Sequence, residues 1–487
     1  MLPHSPSASR GVPDGAASST ADAKTMFAIW AFLLAAGTIF HQALATDWTL
    51  VSLDTLLALS ALFVMARPSS LKRLLAMVSC HLVDLAFDLP FVTNHVVVQA
   101  IVELGFLTAL TVASRRAGPV DGGRIYAAVA PALRASTLVM YVFAGLAKVN
   151  ASFFDPALSS AVTLLRSTQH AISFIPVDEW AWMPVIWGTV ILELGLPVIL
   201  FRRATRGVGL IIALGFHAVM ALSGHPSYSA LAPAILFPFV PDDLPARLRR
   251  VAREFPRSNA AFQRLRGLAA HPAAFAVVGG GWLALSLVHT QGWISDKLFN
   301  AILYHPLGLK NLLLPYLAFF MAVIGADAWR RGSLRYPVST LGMTQLLALT
   351  PLLMLGNGLC PYLGLKTQSS LTMYSNLQTE ADQWNHLLLP VSMRIFDFQD
   401  ELVRIVESND AGLERAARKR HRWVFFEFHR YLSSHPDVSV TYEHAGETFV
   451  VARAGDHEVL STPPPLAMRK ALWFRGVAPI ETNRHRH

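Results

Sequence analysis

Apolar runs about as long as a bilayer is thick recur along this chain, separated by loops that alternate between basic and nearly uncharged. The runs lie at about 25–45, 49–66, 74–92, 95–113, 125–147, 183–201, 207–223, 228–241, 273–290, 311–328 and 338–357. A helical crossing needs roughly 20 such residues, so the run at 228–241 is short for one. Charged residues make up 15% of the 487, against roughly a quarter in an ordinary soluble chain. That deficit excludes a disordered protein and argues against a purely soluble one. The pattern predicts an all-α polytopic membrane bundle of about nine to eleven transmembrane helices.

The loops give direction. One set holds Arg67, Lys72, Arg73, Arg115, Arg116, Arg124, Arg202, Arg203, Arg206, Arg247, Arg249, Arg250, Arg253, Arg257, Arg264, Arg266, Arg330, Arg331 and Arg335. The alternate loops hold only Lys148, Arg166, Lys297 and Lys310. Basic residues stay on the cytoplasmic side, so the first set and the N-terminus are expected there. An odd number of crossings then leaves the C-terminal region outside. The net charge of +9 is topogenic on this reading, and no nucleic acid partner is expected. The predicted location is the inner cell membrane, multi-pass.

Four segments follow. Residues 1–24, rich in Ser, Ala, Pro and Gly, read as a disordered tail. Residues 25–357 hold the spans, and 358–390 follow the last one. Residues 391–487 read as a small extracytoplasmic α+β appendage. Within it, 394–433 have the charge pattern of amphipathic helices, and 438–454 alternate around His444-Ala445-Gly446 as a β-hairpin does. Two cysteines, Cys80 and Cys360, are too few for a disulfide framework. Asn150-Ala151-Ser152 fits a glycosylation sequon. The chain has no P-loop, dinucleotide glycine pattern, HExxH or GxSxG.

Ionisable residues inside spans are costly and mark sites. His81, Asp84 and Asp88 share one helix face, and so do His95, Gln99 and Glu103. Tyr141, Gly145 and Lys148 share a third, where Gly145 admits a close backbone approach. Glu193 is near mid-span, while His217, His225 and His289 sit near outer ends. The polar positions thus crowd one leaflet. Helix–helix hydrogen bonding, or snorkelling of Lys148 to the interface, accounts for any of them singly; a shared cavity accounts for their alignment.

Three stretches resemble a known family. Tyr141-Val142-Phe143-Ala144-Gly145-Leu146-Ala147-Lys148-Val149 is similar to the Y-x-x-A-G-x-x-K-[LV] signature of vitamin K-dependent γ-carboxylases and their bacterial relatives, the HTTM (horizontally transferred transmembrane) proteins. Thr93-Asn94-His95 resembles the Asn-His pair upstream of that lysine. Residues 364–390, GLKTQSSLTMYSNLQTEADQWNHLLLP, resemble the bacterial segment G-L-K-T…F-T-M-[FY]-S-N-L-x-x-E…N-H-L.

The resemblance implies an enzyme that oxygenates a reduced naphthoquinol, a menaquinol, to its epoxide. That reaction drives proton removal from a glutamyl side chain, with O2 and CO2 as co-substrates and a peptide or protein as acceptor. It implies Lys148 as the catalytic base, beside Asn94, His95 and a downstream histidine. His225 is the candidate for the last, with His217 the alternative. Tyr141, Gly145, His217, Glu103 and His81 are the expected lining of the quinol pocket, and no metal is required. An amine acting as base near neutral pH must lose basicity, which burial achieves. Phe143, Phe153, Phe154 and Phe174 are placed to hold a ring, and aromatic packing alone accounts for them equally well. The short C-terminal appendage does not match the large lumenal region of the vertebrate enzymes. Two other readings stand beside this one: a multi-pass transporter or lipid-handling protein, and a non-catalytic scaffold.

Overall fold

The computed structural model describes residues 15–44, 52–115, 120–247, 249, 271–303, 309–338 and 342–482. Within these limits every apolar run forms helix. The elements are α1 (Gly15–Leu44), α2 (Leu53–Ala66), α3 (Leu71–Asp88), α4 (Asn94–Ser114), α5 (Gly122–Ala147), α6 (Ala151–Phe154), α7 (Ser160–Ala171), α8 (Glu179–Phe201), α9 (Arg206–Leu222) and α10 (Pro226–Leu236). They continue with α11 (Pro272–Thr290), α12 (Asp296–Leu303), α13 (Leu309–Arg331) and α14 (Leu349–Leu359). Polar residues start several of them. Ser52 Oγ accepts from Thr55 N at 3.2 Å and Asp121 Oδ1 from Arg124 N at 3.0 Å, which satisfies amides that a first turn leaves free.

Among the described residues, six helices are long and apolar enough to cross a membrane: Ala21–Leu44, α4, α5, α8, α11 and Leu312–Arg331. Nine to eleven crossings were expected. The runs at α2, α9 and α14 are shorter. That at α10 is buried without a break from Ser229 to Leu236. A helix apolar all round with no free face is a core element. The disordered tail expected over 1–24 is corrected too, since α1 begins at Gly15; residues 1–14 lie outside the described residues.

Helix α5 is at the centre, packed on α1, α4, α8 and α14, while α1 packs on α2, α10 and α11. Buried arginines join the elements by satisfying carbonyls that helix ends leave free. Arg134 Nη1 donates to Pro238 O at 2.6 Å. Arg206, which the sequence places in a loop, is fully buried; it donates to Leu200 O, Phe201 O, Tyr336 O and Val338 O. It is therefore a clamp rather than a solvated topogenic charge. Outer helices carry exposed apolar groups such as Val277, Phe319 and Trp329.

Contacts sort the molecule into two ends. At one, Arg249 pairs with Asp22, Arg247 and Arg331 with Asp327, and Tyr336 N donates to Arg203 O. At the other lie Val92, Asn94, Lys148 and His225, all touching residues 358–390. That segment forms no long helix or strand. It is nonetheless buried through most of Thr367–Glu380, and Ser369, Leu371, Tyr374 and Asn376 have φ of 54°, 62°, 50° and 56°. Four non-glycine residues in the left-handed region persist only where surroundings over-determine them. We refer to 358–390 as the strap.

The appendage is α+β. Strands β1 (Leu402–Ser408), β2 (Arg422–Val424), β3 (Val440–His444) and β4 (Glu447–Val451) form one antiparallel sheet in the order β2-β1-β3-β4. Helices α15 (Ala411–Arg418), α16 (Phe425–Ser433) and α17 (Leu466–Ala471) complete it. The β3–β4 hairpin turns at Ala445-Gly446, both at positive φ. The wholly helical reading of 394–433 is corrected: Val403 and Ile405 alternate into the core as strand residues.

Candidate functional site

Lys148 follows the last turn of α5, and its side chain does not snorkel outward. It is 5% exposed. Its Nζ lies 2.8 Å from Glu193 Oε2 on α8, 3.2 Å from Met373 O of the strap and 3.3 Å from Ala144 O. Gly145 makes the approach of α8 possible. A Cβ there would stand 2.8 Å from Leu194 Cδ2 and 3.0 Å from Leu194 N, and the backbone of a packed helix cannot yield. So the contacts of Lys148 are a carboxylate and two carbonyls. The expected imidazoles are not among them.

The imidazoles form a row nearby. Tyr141 OH and His217 Nε2 are 3.0 Å apart. The His217 ring lies 5.3 Å from that of Tyr228, which in turn lies 6.4 Å from His95. His95 Nε2 meets His41 Nδ1 at 2.9 Å, and its Nδ1 meets Thr93 Oγ1 at 3.0 Å. His217 Nδ1 is buried and has no hydrogen-bond partner among the described residues. A buried ring nitrogen without a partner calls for a water, an ion or a ligand group to complete it.

His81 Nδ1 is 2.5 Å from Glu103 Oε2, while Gln99 Nε2 donates to Glu103 Oε1 at 2.9 Å and to Thr38 Oγ1 at 3.0 Å. These groups satisfy one another, as helix-joining networks do. Asp84 is buried and Asp88 exposed. Asn94 Oδ1 accepts from Leu371 N at 2.7 Å, so its contact is with the strap. His225 Nδ1 is 2.5 Å from Tyr374 OH; Tyr374 follows the residue whose carbonyl accepts from Lys148. The strap thus touches Lys148 and both of these candidates.

Asn150 is fully buried. It donates to Ala147 O and to Ser375 O, and accepts from Phe153 N and Asn385 Nδ2. A glycan cannot reach it, which removes the sequon. Phe143 and Phe153 are buried, whereas Phe174 is 87% exposed and no part of the site. His289 stacks on Phe299 and meets Asp296, apart from the rest.

Glu193, already marked by its charge near mid-span, joins the site; His41, Tyr228, Met373 and Tyr374 complete it and were not singled out as its members. One signal was legible. A buried ammonium needs a counter-charge, and Glu193 is the acid in the middle of the next long span. The contacts of the strap leave no such signal.

A separate cleft of about 320 Å³, in the appendage, is lined by His421, Trp423, Glu427, Trp473 and Arg475. Burial holds the His421 imidazole below its usual range and raises the Glu427 carboxyl, Arg430 opposing the latter.

Taken together, the described residues hold six helices long and apolar enough to cross a membrane, a shared polar end and a buried ion pair. Residues 124–238 match the HTTM domain. The match encloses Tyr141, Gly145, Lys148, Glu193, His217 and His225. No curated protein and no solved structure matches the chain.

Proposed function

We propose that this protein is an integral membrane enzyme of vitamin K-dependent carboxylase type. A reduced naphthoquinol would supply a ring whose reaction with O2 drives removal of a γ-proton from a glutamyl side chain, to which CO2 adds. The observation that carries the reading is the buried Lys148–Glu193 pair, lodged inside the HTTM stretch and covered by the strap. The residues present fit such a ligand. Tyr141 and Tyr228 flank His217, whose Nδ1 has no hydrogen-bond partner among the described residues. Lys148 and Glu193 would hold a hydroxyl, and the strap would keep water from it, which proton chemistry of this strength requires. The polar groups crowd one end, which counts against a pathway crossing the whole bundle. The basic end faces the cytoplasm on this reading, so the strap and the appendage face outward.

The test uses purified protein with menaquinol, O2, bicarbonate and a glutamate-bearing peptide, with epoxide measured by mass spectrometry. Wild type forms epoxide, and Lys148→Ala loses it by roughly 10²–10⁴-fold, the range for removal of a proton-transfer group. Absence of epoxide from wild type with every naphthoquinol tried overturns the reading.

A further inference from the structure

The cleft in the appendage is rich in hydrogen-bond donors that nothing else in the described chain uses. Its volume is about 320 Å³, within the range of small-molecule sites, roughly 300–1,000 Å³. Two of its lining residues are almost wholly buried, Gln368 of the strap at 8% exposure and Arg475 at 9%. The side chains of Gln368, His421, Trp423 and Trp473 make no hydrogen bond to another described residue. Arg475 spends Nη2 on Leu377 O, and its Nε has no partner. The carboxylate in the lining is already satisfied: Glu427 Oε1 accepts from Arg430 Nη2, and Oε2 accepts from Phe474 N at 3.2 Å. Burial, and then the nearby Lys419, hold the His421 imidazole below its ordinary range, so the ring is neutral near pH 7 and one nitrogen carries a hydrogen. Unspent hydrogens thus sit on the Gln368 amide, both indoles, His421 and Arg475. Unspent lone pairs are confined to Gln368 Oε1 and one His421 nitrogen, so donors outnumber acceptors.

The donors have a focus at Gly476. A Cβ there would stand 3.7 Å from His421 Nδ1 and 3.7 Å from Trp423 Nε1, with nothing nearer. Those two nitrogens border one open spot, which glycine leaves unfilled. We propose that this cleft binds an oxyanion, a carboxylate or a phosphoryl group, carried on a flat apolar body. An anionic oxygen brings lone pairs and no hydrogen, which matches a lining of N–H groups beside a guanidinium. Glu380 Oε2 lies 3.9 Å from Arg475 Nη2, beyond hydrogen-bond reach, so the oxyanion displaces no existing bond there. Trp423 and Trp473 supply walls for the body. Water also completes such donors, but it gains nothing from aromatic walls. The site joins the strap, the region around β2 and α16, and the segment near the C-terminus. An occupant bonded to Gln368 therefore holds the strap, whose Met373 O accepts from Lys148. None of the lining residues takes part in the proton chemistry proposed above, so the two readings fail separately.

The test uses full-length protein in lipid nanodiscs, labelled with fluorotryptophan and followed by fluorine NMR. Trp423→Phe and Trp473→Phe assign the two indole signals. The probes are benzoate, phenyl phosphate, benzamide and acetate. Benzoate or phenyl phosphate shifts both signals saturably, and the one that saturates at the lower concentration names the oxygen group. Benzamide has the ring without the charge, and acetate the charge without the ring; each needs about tenfold higher concentration or more. Gly476→Ala fills the open spot at ordinary contact distance, and the φ of Gly476 lies outside the left-handed region. That variant keeps the fold and weakens anion binding about tenfold or more, and Gln368→Leu weakens it similarly by removing the amide. Adding the anion lowers hydrogen exchange across 367–380 in wild type and leaves it unchanged in Gly476→Ala. The proposal is overturned by the absence of a saturable shift with either anion, or by benzamide binding as tightly as benzoate. Shifts that persist undiminished in both Gly476→Ala and Gln368→Leu overturn it as well.

Discussion

His386 shows what one side chain does at the polar end. Its Nε2 is 3.0 Å from Leu146 O at the end of α5, so that nitrogen carries the hydrogen and donates. Its Nδ1 accepts from Leu388 N at 3.1 Å and Leu389 N at 2.9 Å. Both nitrogens are used only in the neutral ring, because a proton on Nδ1 would face two N–H groups. Burial holds the imidazole below its ordinary 6.5, the bond to Leu146 opposing weakly. The sign follows: below that value the unfolded chain binds a proton that the folded one resists, so stability falls as pH falls. Thermal unfolding between pH 7.5 and 5.5 is expected to show a falling Tm, and His386→Gln should flatten that slope. An unchanged slope would assign the acid sensitivity elsewhere.

The strap is the element that turns a bundle of helices into a closed site. It borrows hydrogen bonds from helix ends because it has no ladder of its own. Asn94 takes Leu371 N, Asn150 gives to Ser375 O, and Asn376 bridges Ser160 N and Leu158 O. The appendage holds it from the other side: Thr367 N and Gln368 N donate to Trp473 O, and Arg475 donates to Leu377 O. Asn94→Ala leaves a buried amide without its acceptor, a loss of about 1–3 kcal/mol. Hydrogen exchange should rise across 367–378 while α1 keeps its protection. Equal protection throughout would mean that Asn94 does not anchor the strap.

At the scale of the whole molecule, charge and contact divide the chain the same way. Arg249 meets Asp22, and Arg247 and Arg331 meet Asp327, while the strap lies against Asn94, Lys148 and His225. On the orientation proposed here, Ser434, exposed on the appendage, faces outward. Ser434→Cys in intact cells should react with a membrane-impermeant maleimide, and a cysteine in the basic loops should not. Labelling of the loops instead would invert the orientation.

Apolar length, basic loops and the hairpin at Ala445-Gly446 were legible in the sequence, because each depends on neighbours a few residues away. So was the crowding of His81, His95, Lys148 and His225 toward one end, which follows from helical spacing. Tertiary structure alone decided that Lys148 faces Glu193, that Asn94 and Asn150 grip the strap, and that Arg206 is a clamp. It also decided that α10 is core, although its composition resembles that of a span. Those outcomes join residues far apart in the chain, and local pattern cannot say which distant carbonyl or carboxylate a buried donor will meet.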